Sequence, residues 1–471
     1  MIRIIINEWK GWWRTGQFRS LIAFLVLILI LVAYFGVQDV KSRQALVSQS
    51  KQEVRKQWEN MGPSNPHGAA HYGSYAFKPI TPLSALDEGV NLTAGRVLRL
   101  EGHVQNETTH SSQSQSTFIS YFGPLKASLV LQIVLPLLII FLLYYSIQSE
   151  YEQGRIRLLM VQGVAYSKLI MGKVLSVWAL AFLTLLITLT VQWITLGQAL
   201  NPDLMLRSGL IIAAYAGFYW IISAITATLC SRWTQGASAL TIMLALWVIW
   251  LIFLPKISSW YVQEQTVLPS REEFKTAMRE DRSKGLDGHN PTDEREKALK
   301  DSVLTAYGVV SVDSLPINYD GLVMQADEEY GNKVWDKHFG ELFDTMQRQK
   351  ASMQYLSFIN PFGALQSLSM GICGTDQWSH LHFQQEAEAY RRVFIKALND
   401  EHAYGGSKTG DWSWKAEQAF FNDIKDFHYQ TPEYAKAADV YTTDWVILIL
   451  WLFLSTLLLG SVTRNTRSVE L

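Results

Sequence analysis

The chain has 471 residues and a formal net charge of −1, and 49% of its residues are hydrophobic, including 17 tryptophans. This composition is unusual for a soluble protein and indicates long apolar segments. No stretch is strongly basic, so we expect no nucleic-acid partner.

Residues 1–19 combine apolar and basic side chains at roughly helical spacing. The apolar positions are Ile2, Ile5, Ile6, Trp9 and Trp13. The pattern predicts an amphipathic helix in the membrane interface, with its tryptophans in the headgroup layer and its cations toward lipid phosphates. The alternative is an ordinary basic flank of a membrane anchor.

Six apolar runs follow, each near the ~20 residues that a membrane-spanning helix needs. They cover residues 20–37, 125–147, 174–196, 207–230, 237–257 and 445–461. The first run resembles a signal peptide, but Tyr34 and Phe35 occupy positions where a cleavage site needs small residues. We therefore interpret it as an uncleaved anchor, and we expect an all-α polytopic membrane protein with six spans.

The distribution of charge predicts the orientation of these spans. The two termini with the tail 462–471, the loop 148–173 and the turn 231–236 share one side, with eleven Lys/Arg against four Asp/Glu. Because basic loops remain in the cytoplasm, this side is predicted to be cytoplasmic.

Two large polar segments, 38–124 and 258–443, lie on the opposite side. The first begins as a polar helix and becomes rich in Pro, Gly and Ser, which favours irregular loops, and its low-complexity stretch 103–118 is expected to be mobile. The second holds 29 Asp/Glu against 19 Lys/Arg and reads as mainly helical, with one long helix that ends at Asn360-Pro361. We expect the two segments to form one external domain.

A stripe of small residues marks the fourth span. Gly209, Ala213 and Gly217 recur every four residues, a spacing that lets another helix approach closely. The stripe fits packing within the subunit and a dimer seam equally well.

The chain contains no recognisable catalytic motif. A phosphate-binding loop is absent, because Gly172-Lys173 is followed by Val174 and the required preceding glycine is replaced by Ser167. Metalloprotease, nucleophile-elbow and paired Cys-x-x-Cys motifs are also absent from the sequence. We therefore expect no enzyme activity in this chain.

All ten histidines fall in the external segments. They are His67, His71, His103, His110, His289, His338, His380, His382, His402 and His428. His380 and His382, together with Cys373, offer ligands for copper or zinc, but the spacing fits no standard site. Surface or structural histidines are favoured and no metal is expected, with a metal site as the alternative.

The spans carry no charge in their interiors, whereas ion pathways are normally marked by buried ionisable groups. This favours a lipid-like or amphipathic substrate, or no translocated substrate at all. Pro136 removes one helical hydrogen bond and is predicted to kink the second span.

The loop between spans two and three, "EYEQGRIRLLMVQGVAYSKLIMGK" (150–173), is longer than a plain turn requires. It predicts a short helix from about Glu150 to Leu159, broken near Gly163, with Ile156, Leu158, Leu159 and Met160 packed. Charges of both signs and a glycine break suit docking to a soluble protein. The alternative is an intramolecular cap without a partner.

This loop resembles the first cytoplasmic loop of ABC-2-type transporter permeases, which runs acid, Gly, hydrophobic turn, Gly, Gly-Lys. The matching positions are Glu152, Gly154, Leu158, Leu159, Gly163, Gly172 and Lys173. In that family the loop is a coupling helix that fits a cleft of the ATP-binding subunit. The resemblance implies that Glu150, Arg155 and Arg157 also belong to this coupling site.

The six spans and the interfacial helix agree with a half-transporter of that family. The large insertion between spans five and six is similar to the subgroup related to permeases for multicopper-enzyme and nitrous-oxide-reductase maturation and for gliding motility. The stretches 315–322 and 360–392 carry that similarity.

The resemblance implies a bacterial inner-membrane protein with cytoplasmic termini. It further implies a separate ABC ATPase subunit that holds ATP and Mg²⁺, a second copy of this chain or a sister permease, surrounding membrane lipid, and a periplasmic or envelope partner. No cofactor is implied in the chain itself.

Three functions follow as hypotheses. The first is ATP-driven transport of a lipid-like or amphipathic substrate. The second is ATP-driven mechanical signalling to an envelope partner without transport. The third is a membrane-anchored receptor or scaffold with no ATPase.

Overall fold

The computed structural model describes residues 1–109, 125–197, 201–233 and 236–464. Most of the low-complexity stretch 103–118, parts of two short turns between spans and most of the tail 462–471 lie outside the described residues.

The fold is predominantly helical. In the first half of the chain the helices are α1 (Ile2–Arg14), α2 (Gly16–Glu59), α3 (Pro66–Tyr72), α4 (Ala127–Glu152), α5 (Arg155–Val161), α6 (Tyr166–Leu196) and α7 (Pro202–Arg232). In the second half they are α8 (236–265), α9 (Arg271–Lys284), α10 (Thr292–Tyr307), α11 (Tyr319–Leu356), α12 (Pro361–Cys373), α13 (Gln377–Tyr404), α14 (Gln418–Asp423), α15 (Tyr434–Ala437) and α16 (Thr442–Arg464).

Six of these helices are long and apolar enough to cross a membrane: α2, α4, α6, α7, α8, and α16 together with the short α15. The prediction of an all-α polytopic membrane protein is confirmed at this level. We call the end of the bundle that carries α1 and α5 the loop end. The opposite end carries the polar domain, formed by the described residues of 38–109 and 258–443, and is called the domain end.

The first span and the polar run after it form one uninterrupted helix. Helix α2 has 44 residues, about 66 Å at a rise of 1.5 Å per residue. Its outer end reaches the polar domain, where Trp58 packs against Phe394 and Phe421 at ring distances of 5.4 and 5.9 Å. One continuous helix therefore connects the apolar bundle to an aromatic cluster of the polar domain.

Two spans contain a widened helical turn beside a proline. In α4 the turn Val130–Val134 has π-helical hydrogen bonding and is followed by Pro136. In α8 the turn Ile249–Phe253 is followed by Pro255. Proline cannot donate the i→i−4 hydrogen bond, and the wider turn accommodates that missing bond. The sequence predicts a kink at Pro136, and the structure shows a π turn just before it.

The two polar segments fold together into one domain, as their sequences predict. The first segment also contains a two-stranded antiparallel sheet, β1 (Ser74–Phe77) and β2 (Val97–Leu100), in place of the irregular loops expected there. Ala76 and Leu98 of the sheet share a buried cluster with Phe383 of α13. Strands of four residues are too short to show a clear alternating pattern, and packing on α13 stabilises them.

A buried polar joint connects the polar domain to the membrane helices. Gln132 of α4 donates to the hydroxyl of Tyr215 in α7 at 2.7 Å, and that hydroxyl lies 2.9 Å from Ser369 Oγ of α12. Ser369 Oγ donates to Asp87 at 2.6 Å. Buried polar groups that satisfy one another in this way specify a single arrangement, so the two parts are firmly docked.

The small-residue stripe of α7 is divided between two environments. A Cβ added at Gly217 would lie 3.5 Å from Leu452 of α16, so packing within the subunit accounts for this position. Gly209 and Ala213 are exposed. Within the described residues, intramolecular packing therefore explains only one member of the stripe.

Candidate functional site

The predicted coupling loop forms a short helix held between two glycines. Helix α4 continues through Glu152, and α5 begins at Arg155, so the predicted helix start at Glu150 is wrong. Gly154 and Gly163 adopt left-handed backbone angles, with φ of 67° and 87°. No helix-breaking residue precedes Gly154, which is why α4 extends further than predicted.

Helix α5 has one buried face and one exposed apolar face. Ile156 is 2% exposed, while Leu159 and Met160 are partly buried against the bundle. Leu158 is 59% exposed and Val161 is 87% exposed. The prediction that Leu158 packs inside is wrong, because only one side of a single short helix faces the bundle.

Charged residues surround this exposed apolar face. Glu152, Arg155 and Arg157 are all exposed. The outer face of α5 thus presents two exposed apolar side chains beside charges of both signs.

Lys173 lies buried behind α5 and connects three helices. Its Nζ donates to Glu8 of α1 at 2.5 Å, to the carbonyl of Ser146 in α4 at 3.0 Å and to Glu150 at 3.1 Å. Glu150 also accepts from Arg155 of α5 at 2.8 Å. Lys173 is 1% exposed, so it positions the loop from inside and does not reach its surface.

The position before Lys173 requires a small residue, and Gly172 occupies it. A Cβ at position 172 would lie 2.8 to 2.9 Å from side-chain carbons of Ile4, so the glycine lets α1 pack closely on α6. Trp9 of α1 donates to the carbonyl of Ser176 at 3.0 Å. Gly172 and Lys173 therefore anchor the amphipathic helix α1. No signal in the sequence identified Glu8 as the partner of Lys173.

Two adjoining cavities lie at the domain end. Their volumes are about 290 and 310 Å³, and Lys350, Gln354 and Gln377 line both. Apolar residues of the lining include Val262 and Met353. The lining is amphipathic, and the volumes are at the lower end of the range for small-molecule sites.

The charged groups of these cavities are held in place. Lys350 Nζ lies 3.4 Å from a carboxylate oxygen of Asp376 and 4.5 Å from the ring centre of Tyr441. Asp444 accepts hydrogen bonds of 2.8 Å from Gln354 and Ser367. The charged groups and their donors come from α11, α12, α16 and the N-cap of α13, and no local motif in the sequence connects these four parts.

The structure separates the histidines that the sequence placed near Cys373. His382 Nδ1 lies 3.0 Å from the hydroxyl of Tyr429. His380 is buried, and burial, together with the charge of Lys78, lowers its pKa to about 3. Among the described residues neither ring joins Cys373 in a ligand set.

A different set of three histidines does come together, namely His67, His71 and His103. One nitrogen of each ring lies within 4.8 Å of the others. Burial, with the neighbouring rings of His71 and His103, lowers the pKa of His67 to about 4, so this ring is neutral near pH 7.

Comparison with known proteins gives one match. Residues 271–445 match a family model described as a domain of unknown function (DUF3526). No curated protein and no solved structure matches the chain. The matched range runs from the start of α9 to the start of α16, and it contains Lys350, Asp376 and Asp444 of the cavity lining.

Proposed function

We propose that this chain is the membrane subunit of an ATP-driven ABC-2-type transporter. ATP and Mg²⁺ are bound by a separate ABC ATPase subunit that docks on α5. The observation that carries the proposal is the exposed face of α5, where Leu158 and Val161 stand in solvent on a helix whose other side is fixed.

The network behind α5 supports a coupling role. A push on α5 reaches α4 through Arg155 and Glu150, and it reaches α1 and α6 through Lys173. Helix α4 then extends to the buried polar joint, where Gln132 contacts Tyr215 and Asp87. Motion at the loop end is thereby transmitted to the polar domain.

The proposed setting is the bacterial inner membrane, with the loop end and both termini in the cytoplasm. The excess of Lys and Arg at that end supports this orientation. The exposed Gly209 and Ala213 support a seam with a second copy or a sister permease, since small residues let helices approach closely.

The cavities at the domain end support an amphipathic or lipid-like substrate. Residues of α16 line both cavities and residues of α8 line the first, and these two helices carry large exposed apolar side chains such as Ile252 and Phe453. An amphipathic molecule in this place could keep its polar part near Lys350 and Asp376. Export is the direction that we propose.

A second candidate function is mechanical signalling to a periplasmic or envelope partner without transport. The long helix α2 favours it, because one rigid element connects the membrane to the aromatic cluster around Trp58. A substrate that stimulates ATP hydrolysis and is displaced by changes at Lys350 would favour transport. Stimulation by an envelope protein alone would favour signalling.

The proposal is tested by purifying the chain from its native host in mild detergent and assaying for a co-purified ATPase. The double variant Leu158→Asp/Val161→Asp is expected to lose that subunit, because two charges replace the apolar contacts. Glu152→Ala/Arg157→Ala is expected to weaken the association less.

Val310→Asp is the matched control, because Val310 is 97% exposed but lies in the polar domain. It should retain the ATPase in full. If the native chain yields no ATPase under several extraction conditions, the receptor or scaffold function replaces the transporter.

A further inference from the structure

The cluster of His67, His71 and His103 is built from two separate segments. His67 and His71 are four residues apart on α3, so they lie on the same helix face. Their Nε2 atoms are 3.1 Å apart. The ring of His103 has its centre 5.6 Å from that of His67 and 5.4 Å from that of His71.

The backbone around His103 is held against α3. The N–H of Gly102 donates to the carbonyl of Ala70 at 2.9 Å, and the N–H of His103 donates to Glu328. His103 has a φ of 64°, the one positive value among the described non-glycine residues. Such a conformation is uncommon for a non-glycine residue and often marks a functional constraint.

A buried carboxylate orients the ring of His103. Its Nδ1 lies 3.2 Å from Glu328 Oε1, and the other oxygen of Glu328 accepts from Arg391 at 2.8 Å. Both Glu328 and Arg391 are buried. A carboxylate that accepts from one ring nitrogen leaves the other nitrogen as a ligand, which is the usual arrangement behind metal-bound histidine.

We propose that His67, His71 and His103 bind one divalent first-row transition-metal ion through three imidazole nitrogens. Two nitrogens at 2.0–2.1 Å from one tetrahedral ion lie about 3.4 Å apart, close to the separation of the two Nε2 atoms. An all-imidazole set selects zinc- or copper-type ions, whereas Mg²⁺ and Ca²⁺ require oxygen ligands.

The site keeps one coordination position open. His71 is exposed, and His67 and His103 are partly exposed, so water reaches the ion on one side. Three protein ligands with a fourth position open to solvent characterise sites that exchange or activate a ligand, whereas structural zinc sites are closed by four. The bound ion is therefore accessible from the surface of the polar domain.

The proposed metal site replaces the expectation of no metal and does not depend on the proposed transporter function. His103 lies 32 residues beyond His71 in the sequence, which is outside any common ligand spacing. The fold places it beside α3 through the contact of Gly102 with Ala70.

The test uses the full chain in mild detergent, purified through a tag without histidine and stripped with a chelator. Zn²⁺ is titrated and followed by competition with a chromophoric chelator, and Co²⁺ serves as a spectroscopic probe of tetrahedral nitrogen ligation. We expect one Zn²⁺ per chain. His71→Ala should weaken binding at least tenfold, and Glu328→Gln, which removes the orienting charge, by about 10–100-fold.

His428→Ala and His289→Ala are the controls, because both histidines are exposed and lie apart from the cluster. They should leave Zn²⁺ affinity unchanged. Unchanged thermal unfolding of metal-free His71→Ala shows that the loss arises at the site. Equal affinity of the native chain and His71→Ala, or absence of stoichiometric binding by the native chain, would overturn the proposal.

Discussion

The two ends of the helix bundle differ in their surfaces: at one end polar groups are buried and hydrogen-bonded within the chain, and at the other an apolar face is exposed. At the domain end, Asp87, Gln132, Tyr215 and Ser369 satisfy one another in a buried joint. At the loop end, a similar buried network around Lys173 supports a helix whose outer apolar face stays exposed. The polar groups of the joint are satisfied within the chain, whereas Leu158 and Val161 on the outer face of α5 remain exposed.

The largest expected loss of stability comes from breaking the buried network around Lys173 at the loop end. Lys173→Met removes the cation shared by Glu8 and Glu150 and should destabilise the protein by about 3 to 5 kcal/mol, since both carboxylates lose their buried partner. Thermal unfolding in detergent measures the loss, and protease access to α1 reports its release.

Adding Glu8→Gln to Lys173→Met should recover part of that stability, because one unpaired charge is then absent. Equal losses of stability in the single and double variants would show that Glu8 and Lys173 do not interact in the folded protein.

A substitution in the buried polar joint at the domain end should reduce stability less than Lys173→Met does. Asp87→Ala removes the carboxylate that accepts from both Ser369 and Gln132, leaving each with Tyr215 alone, and should cost about 1 to 3 kcal/mol. Asp87→Asn keeps the shape and part of the bonding, and should cost less. If the transmission model is right, Asp87→Ala also uncouples ATP hydrolysis from changes in the polar domain, measured by spin-label distances.

Acidification should reduce stability at the domain end and leave the loop end unchanged. The pKa of His380 in the folded protein is lowered to about 3, so the unfolded state binds a proton first as pH falls below about 6.5. Stability is therefore complete above that pH and declines below it, by about 2 kcal/mol at pH 5. Hydrogen exchange should accelerate in α13 and leave α6 unchanged.

His380→Gln is the control for acidification and should remove the difference between pH 7.5 and pH 5 in α13. Lys78 faces His380, and its own pKa is lowered by burial to about 7, so a Lys78→Met background shows whether this lysine contributes. If hydrogen exchange in α13 still accelerates at pH 5 in both variants, groups other than His380 and Lys78 cause the loss of stability.

The smallest expected effect on stability is on the exposed face of α5. Leu158→Ala should change the free energy of unfolding by less than about 0.5 kcal/mol, because the side chain is 59% exposed. The same change should measurably reduce ATPase capture. A large loss of stability would show that Leu158 is packed in the native assembly by something other than the ATPase.

Helix boundaries with local signals were predictable. Ser270 and Glu273 form the capping box that starts α9, and Asn360-Pro361 separates α11 from α12, as their sequences indicate. The joint around Asp87 was not predictable, because its four residues lie up to 282 positions apart. Local chemistry determines where a helix begins, and long-range packing determines which polar groups meet.

The candidate site on residues 150–173 was likewise only partly predictable from the sequence. The sequence predicted a docking helix within residues 150–173 from its charges and glycines. It also predicted that Leu158 packs and that Lys173 belongs to the coupling site, whereas Leu158 is exposed and Lys173 is buried. Exposure depends on which side of a helix faces the bundle, and this is decided by neighbours such as α1.

The amino-acid sequence by itself determined six apolar helices and two polar segments, because segment length and hydrophobicity act locally along the chain. Only the tertiary structure decided that Glu8 meets Lys173 and that His103 joins His67 and His71. Those contacts depend on the closure of long loops, and no local pattern in the sequence encodes them.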